Sequence, residues 1–202
     1  MTSSQPVVRA RHLRSILEHV ARLPEPSRGA VLEAMSPEAL AAIRGSASSD
    51  WLPFALDLDL THALARALGP EGQHRFFQQQ QLDSFGSPLF RVLVDSATSL
   101  FGLDPGSWAR WIPRGWGAVF RGCGDWVVDR AERGVVHAAL VAPPPGCLED
   151  DVWLRSVASS FSAFLLIART EGDFALVRVD RARQAALYRM RWTARPSGGK
   201  AV

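Results

Sequence analysis

Apolar residues recur at helical spacing through the first half of the chain, and after residue 124 the spacing drops to two. Over 8–22, Val8, Leu13, Ile16, Leu17 and Val20 fall near one face of a helix. The run PEP at 24–26 ends it, and a short helix comes next around 27–35. Ser36-Pro37 reads as an N-cap and first helical residue for a helix through Ile43. Asp57 or Asp59 can cap a helix over about 60–68, which Gly69-Pro70 stops, and a further helix spans about 71–83. Ser87-Pro88 opens another, with Leu89, Val92, Leu93, Leu100 and Phe101 available to a core and Gly102 as its C-cap. Asp104-Pro105 repeats the cap signature, and Pro113 interrupts the segment after it.

The period-two region predicts a hairpin from DWVVDRAER and GVVHAALVA, joined at 132–134. PPPG at 143–146 breaks the second strand. Glu149, Asp150 and Asp151 favour a helix start there, with the helix running to about Arg169 and Gly172 closing it. FALVRVD and AALYRMRW form a second strand pair. The fold class is therefore α+β: an N-terminal helical array, then a β-β-α-β-β, mainly antiparallel sheet with one long helix packed on it. Ala158, Ser159, Ser160, Ser162 and Ala163 on that helix permit close approach to the sheet, and would equally line a cavity. GSASS at 45–49 reads as a joint between an N-terminal helical extension, 1–45, and a main domain, 50–193. Residues 194–202 carry no apolar pattern and are expected to be a disordered tail.

Bulk composition narrows the function classes. With 202 residues, 47% hydrophobic and 21% charged, the chain can bury a core and is not wholly disordered. The net charge of +3 comes from basic residues that are all Arg except Lys200, spread along the chain rather than gathered on one element. That spread speaks against nucleic acid, which selects a concentrated basic surface. In 185–192, Tyr188, Met190 and Trp192 share one face and Leu187, Arg189 and Arg191 the other, so the aromatics are expected inward. The N-terminus lacks a secretory apolar core, and the longest apolar run, AFLLIA at 163–168, is too short to span a bilayer. The expectation is a cytoplasmic protein with no membrane insertion.

Candidate chemistry is sparse. No Gly-x-Ser-x-Gly elbow and no phosphate loop with Lys is present. Cys123 and Cys147 have no metal or disulfide spacing, although Gly122 and Gly124 would leave Cys123 accessible. His12 and His19, seven apart, could share a helix face but lack a third ligand, and His137 reads as a structural histidine inside an apolar strand. His74, beside Phe76 and Phe77, is the candidate axial ligand if haem binds. Residues 104–126 hold Trp108, Trp111, Trp116 and Trp126, and the spacing places them at the seam between helices and sheet.

The order of WLPFALDLDLTHALARALG, LFGLDPGSWARWIPRGWGAVFRGCG, a hairpin, a long helix and a final YRMRW resembles an uncharacterised paralogous family of about 200 residues expanded in myxobacteria. The resemblance covers about 50–193 and carries no catalytic signature. At the level of layout alone, the chain is also similar to haem-nitric-oxide-binding and vinyl-reductase-type sensor domains. The resulting expectation is a non-enzymatic ligand-sensing or protein-interaction module with an apolar site at the helix–sheet seam. Trp108, Arg110, Trp111, Arg114 and Trp116 are its candidate binding residues, for a small apolar ligand or a protein partner. No metal and no cofactor is predicted. The alternatives are a haem or gas-sensing domain, and an enzyme built on Cys123.

Overall fold

The structure is a computed structural model and describes residues 5–85, 104–129, 132 and 134–193. The helix expected from Ser87-Pro88 to Gly102, and the tail at 194–202, lie outside the described residues.

The chain opens with a short strand, β1 (Val7–Arg9), before helix α1 (Ala10–Val20). Val8 is thus in a strand and not in the helix the periodicity suggests. Its side chain still enters the same core as Leu13, Ile16 and Val20, which is why the pattern runs on without a break. Helices α2 (Ser27–Glu33) and α3 (Pro37–Gly45) come next, and the Ser36 side chain caps α3 by accepting from Ala39 N at 3.1 Å. Strand β2 (Trp51–Pro53) leads into α4 (Ala55–Phe85). Gly69, at φ 66 and ψ 175, breaks α4 into two helical segments just before Pro70, as the sequence predicts. Asp57 does not cap it: it sits in the first turn, buried.

Beyond residue 103, α5 (Pro105–Ala109) is capped by Asp104, whose carboxylate accepts from Ser107 N at 3.0 Å. Pro113 does not cut a helix. It occupies the first turn of a new one, α6 (Ile112–Val119), where a missing N–H costs nothing. Strand β3 (Phe120–Arg121) returns to β1, completing a small antiparallel sheet of order β2-β1-β3. The larger sheet holds β4 (Asp125–Val128), β5 (Val135–Val141), β6 (Gly172–Asp180) and β7 (Ala185–Trp192) in the order β4-β5-β7-β6, antiparallel throughout. Helix α7 (Asp151–Ile167) crosses between the two strand pairs. Gly172 does not close α7. The turn is made at Arg169, φ 49, and Gly172 begins β6 where a Cβ would collide with the Arg191 carbonyl.

Two apolar clusters result. One lies among α1 to α4 and includes Leu13, Ile16, Ile43, Leu60 and Phe77. The other lies between α5 to α7 and the large sheet, with Trp116, Trp126, Trp153, Tyr188 and Met190. Phe120 packs against both. The seam between α4 and α7 is largely polar: His62 bonds Asp150 at 2.8 Å, His74 Ser159 at 3.0 Å, and Gln78 Ser162 at 3.0 Å. The small residues of α7 therefore serve a third purpose besides sheet approach and cavity lining. Ser159 and Ser162 let α4 come close enough for its side chains to bond them.

Candidate ligand-binding site

Where the two clusters meet, they leave a cavity of about 290 Å³. Arg11 and His12 of α1 and Asp57, Thr61 and Phe77 of α4 form one wall. Trp108, Trp111, Ile112, Arg114 and Trp116 of α5, α6 and the link between them form the second, and Trp153, Val157, Phe161 and Phe164 of α7 the third. The wall is mostly aromatic because residues from short, closely spaced helices converge on it. Trp116 stacks on Phe120 with ring centroids 4.2 Å apart and meets Trp126 and Trp153 edge-on. Its indole N–H donates to the Gly124 carbonyl at 3.1 Å, which fixes α6 over the start of the large sheet.

The interior wall carries one carboxylate. Asp57 is 4% exposed. Its Oδ2 accepts the Trp153 indole N–H at 3.1 Å, and its Oδ1 lies 3.4 Å from His12 Nε2. The His12 ring sits edge-on to Phe120, with centroids 5.4 Å apart. Three elements, α1, α4 and α7, are thus tied at one buried point beside the cavity.

Of the binding residues expected from sequence, Trp108, Trp111, Arg114 and Trp116 line this cavity, and Arg110 is exposed outside it. Trp111 is 40% exposed and Arg114 lies over its ring at 5.4 Å, so this pair forms part of the rim. His74 is not on the cavity wall. It is exposed, and borders a second, more open hollow with Arg155, Phe174 and Arg178. Sequence reasoning missed Arg11, His12, Asp57, Trp153, Phe161 and Phe164. One usable signal was Asp57, a carboxylate inside the apolar run WLPFALDL.

Two further expectations are corrected. His137 is exposed on the outer face of β5 and is not a buried structural histidine, because the alternation of β5 places Val136, Ala138 and Leu140 inward instead. Cys123 is 1% exposed despite its flanking glycines, because the Gly122–Gly124 turn folds it under β1, where its thiol donates toward the Arg121 and Val7 carbonyls. Burial, then the nearby Asp57 and Cys147, push the Cys123 thiol up to about 12. Neutral and enclosed, the thiol lacks the exposed thiolate character of a reactive cysteine.

No family model matches the chain, and no curated protein matches it, so the resemblance to a myxobacterial paralogous family finds no support there. Solved structures do match. A K. algicida H-NOX protein, as a point mutant in the Fe(II) unliganded state, superposes with a TM-score of 0.62 at 8% identity, over 92% of this chain and 96% of that one. The Cs H-NOX protein gives 0.57 at 7% identity, over 94% and 98%. An H-NOX from Shewanella woodyi, bound to IWP-051 in the Fe(II)CO state, gives 0.53 at 9%, over 96% and 97%. The chain is α+β and has an H-NOX-like fold, and at these identities the likeness is one of fold alone.

The side chains can be tested against the haem that this fold suggests. Groups able to ligate haem iron are His, Cys thiolate, Met and Tyr. The chain holds five His, two Cys, three Met and one Tyr, and all but Met1 fall among the described residues. Only His12 lines the cavity, and its Nε2 is turned to a buried carboxylate. His19 is taken by Asp83 and the Ser15 carbonyl, His62 by Asp150 and His74 by Ser159, and His137 is exposed on the outer face of β5. Both thiols are held protonated by burial, and the Tyr188 hydroxyl donates to the Leu154 carbonyl at 3.2 Å. Met35 and Met190 are packed in the two cores. Among the described residues no group of three or more His, Cys, Asp or Glu stands together as a metal site. The residues present do not fit a haem.

Proposed function

We propose that this chain is a small-molecule-sensing domain on an H-NOX-like fold, whose ligand enters the apolar cavity between the helical half and the sheet half. The carrying observation is the position of that cavity at the junction of two separate apolar clusters. A ligand there touches α1 and α4 on one side and α6 and α7 on the other. Its binding free energy therefore depends on how the two halves sit, which is the requirement for shifting a conformational equilibrium. No helix among the described residues is long and apolar enough to cross a membrane.

A second reading, a haem-based gas sensor, is favoured by the fold. The neighbours' Fe(II) and Fe(II)CO states speak for it more than for a general ligand-sensing module. The donor set of this chain speaks the other way. A test of the haem reading is made at His12, the histidine on the cavity wall among the described residues, rather than at His74.

Gly115 provides the test. It lines the cavity on α6, and a Cβ there meets nothing within 4 Å. The neutral fluorophore N-phenyl-1-naphthylamine should bind the wild type saturably at one site, and Gly115→Leu should abolish binding while the variant stays folded. Absence of saturable binding to the wild type would end the cavity reading. Hemin titration followed by absorbance separates the two readings. A Soret band that disappears in His12→Ala would replace the ligand-sensing reading with the gas-sensing one.

A further inference from the structure

The cavity wall has an uneven charge distribution. Arg11 of α1 and Arg114 of α6 both line it and are both exposed. Neither has a carboxylate partner among the described residues, whereas Arg155 on α7 pairs with Asp151 and Arg22 beyond α1 with Asp83. The Arg114 guanidinium lies over the Trp111 ring, which leaves its N–H edge available. The wall's one carboxylate, Asp57, lies at the buried end and is bonded to Trp153. Both cations that line the cavity are thus exposed, and the carboxylate is buried.

We infer that the ligand is an amphiphilic monocarboxylate, bound tail inward, with its carboxylate at the Arg11 and Arg114 end. This rests on the cavity reading above. The guanidinium fork matches a carboxylate in two parallel hydrogen bonds, and a desolvating aromatic rim strengthens them. Trp108, Trp116, Trp153, Phe161 and Phe164 supply the surface for the apolar tail. Asp57 disfavours the reverse orientation, since it would face a second carboxylate away from water.

Decanoate and decanol share the tail and differ in the head, so the experiment compares the two as competitors for bound N-phenyl-1-naphthylamine. Decanoate should displace the fluorophore from wild type at roughly one-tenth the concentration decanol needs, the gain of a charge-assisted pair at the rim. In Arg11→Ala/Arg114→Ala the two competitors should become equal, each displacement being scaled to the fluorophore affinity measured for that variant. Equal displacement by both from the wild type, with the fluorophore still bound, overturns the carboxylate inference and leaves the cavity reading intact. Failure of the fluorophore itself to bind overturns both. The wild-type comparison decides the matter even if the double variant does not fold.

Discussion

The Asp57 carboxylate accepts the Trp153 indole N–H at 3.1 Å across 96 residues of chain, with the two residues 4% and 1% exposed. The bond joins the first turn of α4 to the first turn of α7, and so ties the helical half to the helix that covers the large sheet. Asp57→Ala would leave the Trp153 Nε1 donor without its acceptor and remove the carboxylate that lies 3.4 Å from His12 Nε2. An orphaned buried donor costs about 1–3 kcal/mol, so the variant should lose roughly that much in urea unfolding. Trp153→Phe should lose a comparable amount, because it leaves the carboxylate buried with one partner fewer. A loss below about 0.5 kcal/mol in both variants would show that the bond does not hold the halves together.

Asp150 performs two tasks one turn away. Its Oδ1 caps α7 by accepting from Trp153 N at 2.9 Å, and its Oδ2 accepts from His62 Nε2 of α4 at 2.8 Å. Asp150→Ala removes both, and the cap alone accounts for about 1–2 kcal/mol. Asp150→Asn retains a capping oxygen and should recover most of that loss. Equal destabilisation by Asn and Ala would mean that the His62 contact, not the cap, carries the effect.

The helix caps and the sheet were legible because each rests on a local rule. Ser36, Asp104 and the Gly69-Pro70 break act within one turn of their own residue. The alternation of β5 and β7 fixes Val136, Ala138, Tyr188 and Met190 inward without reference to anything distant. The aromatic cluster was legible to the same degree, since Trp108, Trp111, Trp116 and Trp126 lie within one stretch. The opposite wall was not. Arg11, His12 and Asp57 reach the cavity only because α1 and the first half of α4 fold back over α6 and α7, a long-range arrangement that no spacing in the sequence records. Val8 shows the converse. Its helical phase with Leu13 is met by a strand residue that enters the same cluster from another direction. Asp57 was misread as a cap because a carboxylate near a helix start has a cheap local explanation, while its true partners are His12 and Trp153.

Glycines at either end of α6 and its following turn should respond in opposite directions. Gly124 has φ +84, and an added Cβ would lie 2.7 Å from the Val141 carbonyl and 3.0 Å from Pro143 backbone. Its own carbonyl also receives the Trp116 indole. Gly124→Ala should cost about 2 kcal/mol or more, from the left-handed conformation and the backbone collision together. Gly115→Ala meets nothing within 4 Å and removes a helix-interior glycine, so it should gain about 0.5–1 kcal/mol. Thermal unfolding of the pair checks this. A Gly124→Ala protein as stable as wild type would contradict the tight turn beneath Trp116.

The buried thiols make the fold sensitive to alkali. Burial first, then the Asp57 charge and Cys147, push Cys123 up to about 12 from an ordinary 9.0. Burial, then Asp150 and Asp57, does the same for Cys147. Below about pH 9 both folded and unfolded chains keep these protons, and the thiols add no pH dependence. Between 9 and about 12 the unfolded chain releases them and the folded one does not, so stability falls as pH rises. The slope approaches about 1.4 kcal/mol per pH unit for each thiol. Tyr188, whose hydroxyl burial also pushes up from 10, adds to the loss above that value. Urea midpoints measured from pH 8 to 11 should decline steadily, and a Cys123→Ala/Cys147→Ala variant should flatten the segment between 9 and 10. Iodoacetamide at pH 8 should label neither cysteine in the native protein and both in urea. Rapid native labelling of Cys123 would show that the turn around it opens, and would restore it as a reactive group.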